Sequence, residues 1–159
     1  MRVVVVGSGY VGLISGACFA DLGHNVTCVD ANSEKIEALS RGKIPIYEPG
    51  LQRLISQNVR ERRLGFSVHL GPSIRESDAV FVAVGTPSGR GDGHADLSHV
   101  YAAARDIAAE IDRNQVVVIN NGSGWDRRRG RAIDRRGAAA YEHQSSVLPG
   151  IPSGGSGHS

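Results

Sequence analysis

Short apolar runs alternate with helical patterns along the first three quarters of the chain. Residues 2–6 (RVVVV) form a continuous β-branched run before Gly7, which predicts a strand buried on both faces within a parallel sheet. A helix follows, because Gly23 is a natural stop and apolar side chains recur at helical spacing before it. Residues 26–30 (VTCVD) predict a second strand, which completes a β-α-β unit. The residues at helical spacing are Val11, Ile14, Ala17, Cys18 and Leu22.

The same alternation continues to Ile119. Helices are predicted over 33–40, 51–62, 72–77 and 97–111, and strands over 66–70, 79–84 and 115–119. Asn32 or Ser33 is a candidate cap for the first of these helices, and Asp96 for the last. Strands alternating with helices predict an α/β fold over residues 1–119, a doubly wound parallel sheet of Rossmann-like type.

The pattern stops after Ile119. In residues 120–159, Gly, Pro and Ser supply 16 of 40 positions, and the Arg-rich stretch WDRRRGRAIDRRG follows neither the helical nor the strand period. This tail carries 6 Arg against 3 acidic residues, so it accounts for the net charge of +2. Residues 1–119 are close to neutral and give no reason to expect nucleic-acid binding. We expect an incomplete sheet followed by an irregular C-terminal tail.

Composition narrows the class of protein further. The 159 residues suffice for one domain, and 40% apolar with 21% charged residues is ordinary for a globular protein. No apolar run is long enough to cross a membrane, and the start MRVVVVGSG is a poor signal peptide. Two cysteines make neither a disulfide framework nor a zinc site, and the six histidines lack metal-ligand spacing. A cytoplasmic protein without a metal is expected, and collagen, coiled coil and disulfide scaffold are excluded.

Three glycines after the first strand form a dinucleotide-binding fingerprint. Gly7, Gly9 and Gly12 are spaced G-x-G-x-x-G between a predicted strand and a predicted helix. Gly7 permits the tight turn, Gly9 lets the backbone approach a pyrophosphate, and Gly12 lets helix and strand pack closely. The helix N-terminus then offers N–H groups and partial positive charge to the phosphates.

Asp30 ends the next strand, where it would accept hydrogen bonds from the adenosine ribose hydroxyls. A 2′-phosphate there would meet like charge, so NAD is favoured over NADP. Lys35 lies within reach of the same ribose, although a lone lysine is more often a surface residue. Thr86 follows a buried strand at its carboxyl end, where open α/β sheets place ligands. Cys18 and Cys28 are expected to be small buried hydrophobes, with Cys18 facing the sheet.

The chain resembles the UDP-glucose 6-dehydrogenase family over residues 1–119. The segments that carry the resemblance are GSGYVGLISGACFADLGHNVTCVD, EKIEAL, GKIPIYEPGL, VFVAVGTP and DGHADLSHV. The Tyr10–Val11 pair inside the fingerprint and the IPIYEPGL segment are more specific than the glycines. Related UDP-sugar and GDP-mannose dehydrogenases share much of this pattern, so the family is better defined than the sugar.

The resemblance implies an NAD site and an expected reaction. It implies NAD contacts from Val11, Asp30, Lys35 and Thr86. The family oxidises the C6 alcohol of a nucleotide sugar to a carboxylate in two NAD-dependent steps, through a covalent intermediate on a cysteine thiolate. That cysteine and most of the sugar site lie beyond the matching segment, so no catalytic residue is assigned here. The full set of predicted cofactor-binding residues is Gly7, Gly9, Tyr10, Val11, Gly12, Asp30, Lys35 and Thr86.

The tail has a specific interpretation, a shift of reading frame. The family pattern should continue as a segment like KSTVPVGTGDEVERLI, which is absent. Read from the second base of each codon, permitted codons for residues 121–136 spell TVPVGTGDEVERLIDE. LPGIPSGGSGH can likewise be read as PEFLREGAAI, another family segment. We expect residues from about 120 onward to be out-of-frame translation of a truncated enzyme, with no selection for caps or packing.

Three functions stay open on the residues alone. The first is the NAD-binding part of a UDP-glucose dehydrogenase, which is not catalytic alone; a GDP-mannose or other UDP-sugar dehydrogenase fragment is its close variant. The second is a non-catalytic nucleotide-binding or interaction module with a working basic tail, which the aperiodic tail disfavours. The third is an active short oxidoreductase, which lacks a recognisable base or nucleophile.

Overall fold

Five parallel strands form the centre of the protein. The computed structural model describes residues 1–86, 96–119, 131–133 and 139–141. The parallel sheet has the strand order β3-β2-β1-β4-β5. Its strands are β1 (Arg2–Val6), β2 (Asn25–Val29), β3 (Leu64–Ser67), β4 (Ala79–Val82) and β5 (Val116–Ile119). The order reverses at β1, as a doubly wound sheet requires, and the predicted fold class is confirmed.

Five helices connect these strands. They are α1 (Tyr10–Asp21), α2 (Ser33–Ser40), α3 (Leu51–Arg60), α4 (Leu70–Glu76) and α5 (Ser98–Glu110). Asn32 caps α2, its side chain accepting a 2.9 Å hydrogen bond from the Lys35 N–H. Asp96 was the predicted cap of α5, but the N-cap position is occupied by Leu97. Asp96 lies one residue earlier, and its side chain accepts a hydrogen bond from the Ser98 N–H at 2.9 Å.

The core lies in two layers, one on each face of the sheet. One layer joins β1 and β2 to α1 and α3 through Val5, Ala17, Cys28 and Ile55. The other joins β1 and β4 to α4 and α5 through side chains that include Ile74, Val80 and Ile107. Alternate residues of each strand face opposite layers, which explains why the strands read as continuous apolar runs.

The register brings the carboxyl ends of three strands together. Val6 of β1 pairs with Val29 of β2 and with Val82 of β4. The segments that follow these residues therefore meet at one edge of the sheet, beside the point where the strand order reverses. Open α/β sheets bind ligands at such an edge.

Two predictions about element positions need correction. The third strand was predicted over 66–70 and lies at Leu64–Ser67, because Leu64 and Phe66 supply the apolar face and α4 begins at Leu70. The buried face of α1 was assigned correctly only in part, since Ala17 is buried and Ile14 packs against the core, whereas Val11, Cys18 and Leu22 are exposed. The face that packs on the sheet consists of Gly12, Leu13, Gly16, Ala17 and Ala20.

Most of the predicted tail, 120–159, lies outside the described residues. The described part consists of two short strands, β6 (Arg131–Ile133) and β7 (Ala139–Tyr141), which pair antiparallel. The sequence prediction had no strand here. The pair forms a separate two-stranded sheet, and β6 lies near α5. The predicted loop over 85–96 is also described only at its ends, because 87–95 lie outside the described residues.

Candidate functional site

The turn between β1 and α1 has two positions where only glycine fits. Gly7 has φ +99°, and a Cβ there would lie 2.7 Å from the Ala83 carbonyl oxygen. A Cβ on Gly12 would lie 1.8 Å from the Gly7 carbonyl oxygen. The Gly7 N–H donates to the Val29 carbonyl at 2.7 Å, which ties the turn to β2. The turn is thus fixed by backbone contacts to both neighbouring strands.

Gly9 differs from the other two glycines because its surroundings are open. No heavy atom lies within 4 Å of the position that a Cβ on Gly9 would take. Gly9 is also the N-cap of α1, with no capping side chain and no acidic residue in the first turn. The first N–H groups of a helix have no intrahelical acceptor. The open space therefore borders an N-terminus suited to an anion, and this geometry fits the diphosphate of a dinucleotide.

Asp30, directly after β2, is the most highly connected polar side chain of this edge. Its Oδ2 accepts from the Ser8 N–H at 2.9 Å and from the Lys35 ammonium at 2.7 Å. Its Oδ1 accepts from the Asn32 N–H at 3.0 Å. Partial burial raises the pKa of the Asp30 carboxyl, but the hydrogen bonds from Lys35, Asn32 and Ser8 outweigh it, so the pKa lies below its ordinary value. Asp30 is therefore ionised near neutral pH.

Lys35 is brought to the same place from the first turn of α2. Its ammonium forms an ion pair with Asp30, and the side chains are 33% and 15% exposed, respectively. Sequence analysis placed both residues at one ribose without pairing them. The structure brings them together, so a ligand at this position would meet a carboxylate and an ammonium at once.

Tyr10 connects the turn to a distant loop, which the sequence analysis missed. Its hydroxyl donates to Glu48 Oε2 at 2.8 Å, across 38 residues of sequence. This hydrogen bond, together with the charge of Glu48, raises the pKa of the Tyr10 phenol. Tyr10 belongs to the GSGYVG segment and Glu48 to the IPIYEPGL segment, the two most specific segments of the sequence. That both segments are specific to the same family was the available indication that they contact each other.

The remaining predicted residues lie at the same edge with different exposure. Val11 is 43% exposed at the start of α1, two residues after Gly9, and is not part of the core. Thr86 is half-buried in the segment that follows β4. Ser8 is another residue that the sequence analysis missed, since it is 1% exposed and its hydroxyl has no partner among the described residues.

The two cysteines differ, contrary to expectation. Cys28 is fully buried, as predicted, and burial raises the pKa of its thiol to about 12. Cys18 was predicted to face the sheet, but it is exposed on α1. The prediction placed Cys18 on the buried face because it is apolar, whereas the buried positions around it are Gly16, Ala17 and Ala20.

Within the described residues, no group of three His, Cys, Asp or Glu side chains is placed to hold a metal ion. In the same part of the chain, no helix has the length and apolar character needed to cross a membrane.

Comparison with known proteins places this geometry in a family. Residues 1–123 match the UDP-glucose/GDP-mannose dehydrogenase family, NAD binding domain. The chain is 58% identical over 118 residues to the UDP-glucose 6-dehydrogenase of Rhizobium meliloti (strain 1021), covering 74% of this chain and 27% of that protein. It is 45% identical over 120 residues to the UDP-glucose 6-dehydrogenase of Pseudomonas aeruginosa, covering 76% and 26%. It thus spans about a quarter of the length of these relatives.

Solved structures give the same result. A ternary complex of GDP-mannose dehydrogenase from Pseudomonas aeruginosa superposes with a TM-score of 0.70 at 36% identity, covering 75% of this chain and 28% of that one. A UDP-glucose dehydrogenase from Pyrobaculum islandicum superposes with a TM-score of 0.69 at 39% identity, covering 74% and 28%. The glycine turn, the open N-terminus of α1 and the acidic residue after β2 are all present in the matched region. This chain therefore belongs to the UDP-glucose/GDP-mannose dehydrogenase family and contains its NAD-binding domain.

Proposed function

We propose that residues 1–119 hold NAD for the oxidation of a nucleotide sugar, with UDP-glucose as the substrate of the whole enzyme. The observation that carries the proposal is the open space at Gly9, at the N-terminus of α1 and one residue after Ser8, whose N–H donates to Asp30. When bound, NAD accepts a hydride from the sugar alcohol. This chain contributes the groups that bind and orient the cofactor.

The diphosphate is proposed to lie against the turn from Gly7 to Gly12. Gly9 leaves room for it, and the N–H groups of Tyr10 and Val11 begin the helix that faces it. The Tyr10–Glu48 hydrogen bond holds the loop 43–50 close to this turn. Because Tyr10 is 54% exposed and Val11 is 43% exposed, both side chains are available for contact with a bound cofactor.

The adenosine ribose is proposed to lie at Asp30 and Lys35. A carboxylate accepts hydrogen bonds from the 2′- and 3′-hydroxyls, and an ammonium donates to them. The Asp30 side chain is only 15% exposed, and hydrogen bonds from Ser8, Asn32 and Lys35 fix its orientation. Thr86, at the end of β4, is proposed to contact the cofactor from the other side of β1.

UDP-glucose is proposed as the nucleotide-sugar substrate because the two bacterial relatives above are named UDP-glucose 6-dehydrogenases. A GDP-mannose or other UDP-sugar dehydrogenase is the alternative, since solved structures of such enzymes superpose as well. The cytoplasm is the proposed compartment, and the two free thiols, Cys18 and Cys28, support it.

Residues 1–159 alone are proposed not to oxidise the sugar. The resemblance implies a thiolate that holds the oxidised carbon, and neither cysteine suits that task. Cys28 is enclosed in the core, where its thiol stays protonated. Cys18 lies near the C-terminus of α1, about two helical turns from the glycine turn proposed to hold the cofactor. Residues 120–159 are proposed to be out-of-frame sequence, and the nucleotide sequence of the gene tests this directly.

Calorimetric titration of the purified chain with NAD tests the cofactor site. We expect binding that Gly9→Ala weakens by about tenfold or more, because its Cβ occupies the space proposed for the diphosphate. Gly65→Ala is the matched control, since Gly65 also has open surroundings and no positive φ, but it lies in β3 away from the turn. Unchanged affinity in Gly9→Ala, with the fold intact, would contradict the proposed site.

A second assay follows NADH formation with UDP-glucose and NAD. We expect no turnover above background from the isolated chain. Turnover that requires UDP-glucose and is abolished by Cys18→Ser or Cys28→Ser would contradict the assignment of this chain as a cofactor domain only.

A further inference from the structure

Asp30 and Lys35 are a paired charge rather than an isolated acid. The ammonium lies 2.7 Å from Asp30 Oδ2, and both side chains are largely shielded from water. Their charges sum to zero. We call the place where this pair lies, between the end of β2 and the first turn of α2, the Asp30–Lys35 corner. A ligand phosphate at this corner meets a nearly neutral pair, although the sequence suggests a negative site.

The main chain of Lys35 is held by a contact other than the ion pair. Its backbone N–H donates to the Asn32 side chain at 2.9 Å, so the cap of α2 fixes its main chain. Its side chain is long enough to stay at this corner when Asp30 is neutral. The next cation along the chain, Arg41 at the C-cap of α2, is paired with Glu37 at 3.0 Å at the far end of the helix. Lys35 is thus the cation that α2 holds beside the proposed ribose.

Asp30 acts on the corner in two ways. Its Oδ2 accepts a hydrogen bond from the Lys35 ammonium, and its oxygens are also the proposed acceptors for the ribose hydroxyls. A 2′-phosphate offers no hydroxyl at that position, but it is a strong acceptor for an ammonium. Discrimination against the phosphate therefore depends on how much of the Lys35 charge Asp30 neutralises.

We propose that Lys35 is a specificity-determining residue that moderates the preference for NAD over NADP, and that it becomes a 2′-phosphate ligand when Asp30 is neutral. This inference rests on the proposed placement of the adenosine ribose at Asp30. It makes the effects of the two residues opposite: loss of Lys35 sharpens the preference for NAD, and loss of the Asp30 charge reverses or abolishes it.

Calorimetry with NAD and NADP on four chains tests the inference: unmutated, Asp30→Asn, Lys35→Gln and the double variant. Asp30→Asn retains an oxygen that can accept from the Ser8 N–H. We expect it to lower the Kd for NADP by about tenfold, the effect of one charge-assisted contact. Lys35→Gln should raise the ratio of the NADP to the NAD Kd by several-fold. The double variant should bind NADP no better than the unmutated chain.

Lys43→Gln is the matched control, because Lys43 is the other lysine of the sequence and lies in the loop after α2. It should leave the ratio unchanged. A gain in NADP affinity that is equal in Asp30→Asn and in the double variant would overturn the inference. A ratio unaffected by Lys35→Gln would overturn it as well, and this variant retains the native Asp30 contacts to the turn.

The failure of the proposed function has a different signature. If the folded, unmutated chain does not bind NAD, the proposed cofactor site is wrong. The inference is tested separately with adenosine 2′,5′-bisphosphate on Asp30→Asn. Binding that is lost in the double variant supports the 2′-phosphate contact of Lys35, and absence of binding to Asp30→Asn overturns it.

Discussion

The two faces of the sheet are covered by helices in different ways. On the β1–β2 side, α1 presents Gly12, Gly16, Ala17 and Ala20, and a Cβ on Gly16 would lie 2.6 Å from Cys28 Sγ. On the opposite side, α5 presents Val100, Ala103 and Ile107 to the core. The first contact is a close approach with little side chain between helix and sheet. The second is ordinary side-chain packing.

This difference follows from what each helix positions. The N-terminus of α1 must reach the turn after β1, and the Gly12–Gly7 contact places it there. A backbone contact cannot adjust to an added methyl group, whereas interdigitated side chains can partly rearrange. Substitutions on the α1 side should therefore affect the fold and the cofactor site together. Substitutions on the α5 side should affect stability alone.

Gly12→Ala is expected to have the largest effect. Its Cβ would lie 1.8 Å from the Gly7 carbonyl oxygen, so the backbone must move. We expect a loss of more than about 3 kcal/mol in the free energy of unfolding, measured by urea denaturation. Gly9→Ala is the control, with open space at its Cβ and an expected loss of about 1 kcal/mol or less. Equal denaturation midpoints for the two variants would contradict the close-contact interpretation.

Ile107→Ala tests the other face. Ile107 is 2% exposed in the layer between α5 and the sheet. Removing its side chain should cost about 3 kcal/mol in the free energy of unfolding, through lost burial and a residual cavity. The NAD affinity of the folded chain should stay within about twofold, because α5 does not shape the turn. A large loss of affinity at unchanged stability would show that the two faces are not independent.

Acidification should lower the free energy of unfolding through protonation of Asp30, which lies after β2 and accepts from the Ser8 N–H in the glycine turn. The pKa of this carboxyl is lower in the folded chain than in the unfolded chain, so its contribution to stability is present above the unfolded value, about 3.9. That contribution is lost as the pH falls through the folded value. We expect a smaller drop in unfolding free energy between about pH 5 and pH 3 in Asp30→Asn than in the unmutated chain.

The comparison for this measurement is Asp78→Asn, because the pKa of Asp78 is also lowered, first by its hydrogen bond from the Arg2 N–H. Asp78 directly precedes β4, so it lies at the amino ends of the strands, away from the carboxyl ends where Asp30 lies. Its substitution should change the acid sensitivity without changing the NAD affinity. An unchanged pH profile in Asp30→Asn would contradict the stabilising contribution assigned to its three hydrogen bonds.

Cys18→Ser should have the smallest effect, within about 0.5 kcal/mol, because Cys18 is exposed on α1. A thiol reagent should label Cys18 in the folded chain and reach Cys28 only after unfolding, since burial raises the pKa of the Cys28 thiol to about 12. Mass spectrometry of the labelled chain checks both statements. Rapid labelling of Cys28 under native conditions would show that α1 separates from the sheet.

Much of the fold could be predicted because its signals are local. The β-branched run of β1 was found at its observed bounds, Arg2–Val6, and the glycine spacing located the turn. The buried face of α1 was only partly right, because Gly12 and Ala17 are buried as predicted, but Gly16 was not counted as a contact residue and the exposed Cys18 was. The position of β3 was wrong because Leu64 lies beside a charged stretch that concealed the start of the strand. Both errors concern which residues meet across the core.

The sequence by itself determined the family, through the matching segments, and the order of elements, through spacing along strands and helices. It also placed Asp30, Lys35 and Thr86 near the carboxyl edge of the sheet, since they follow predicted strands. Only the tertiary structure decided how those residues are paired. Asp30 takes up the Ser8 N–H and the Lys35 ammonium together, and Tyr10 reaches Glu48 across the loop after α2. These contacts depend on distances between elements that pack against each other. No local pattern encodes such distances, because they are fixed only when the helices settle on the sheet.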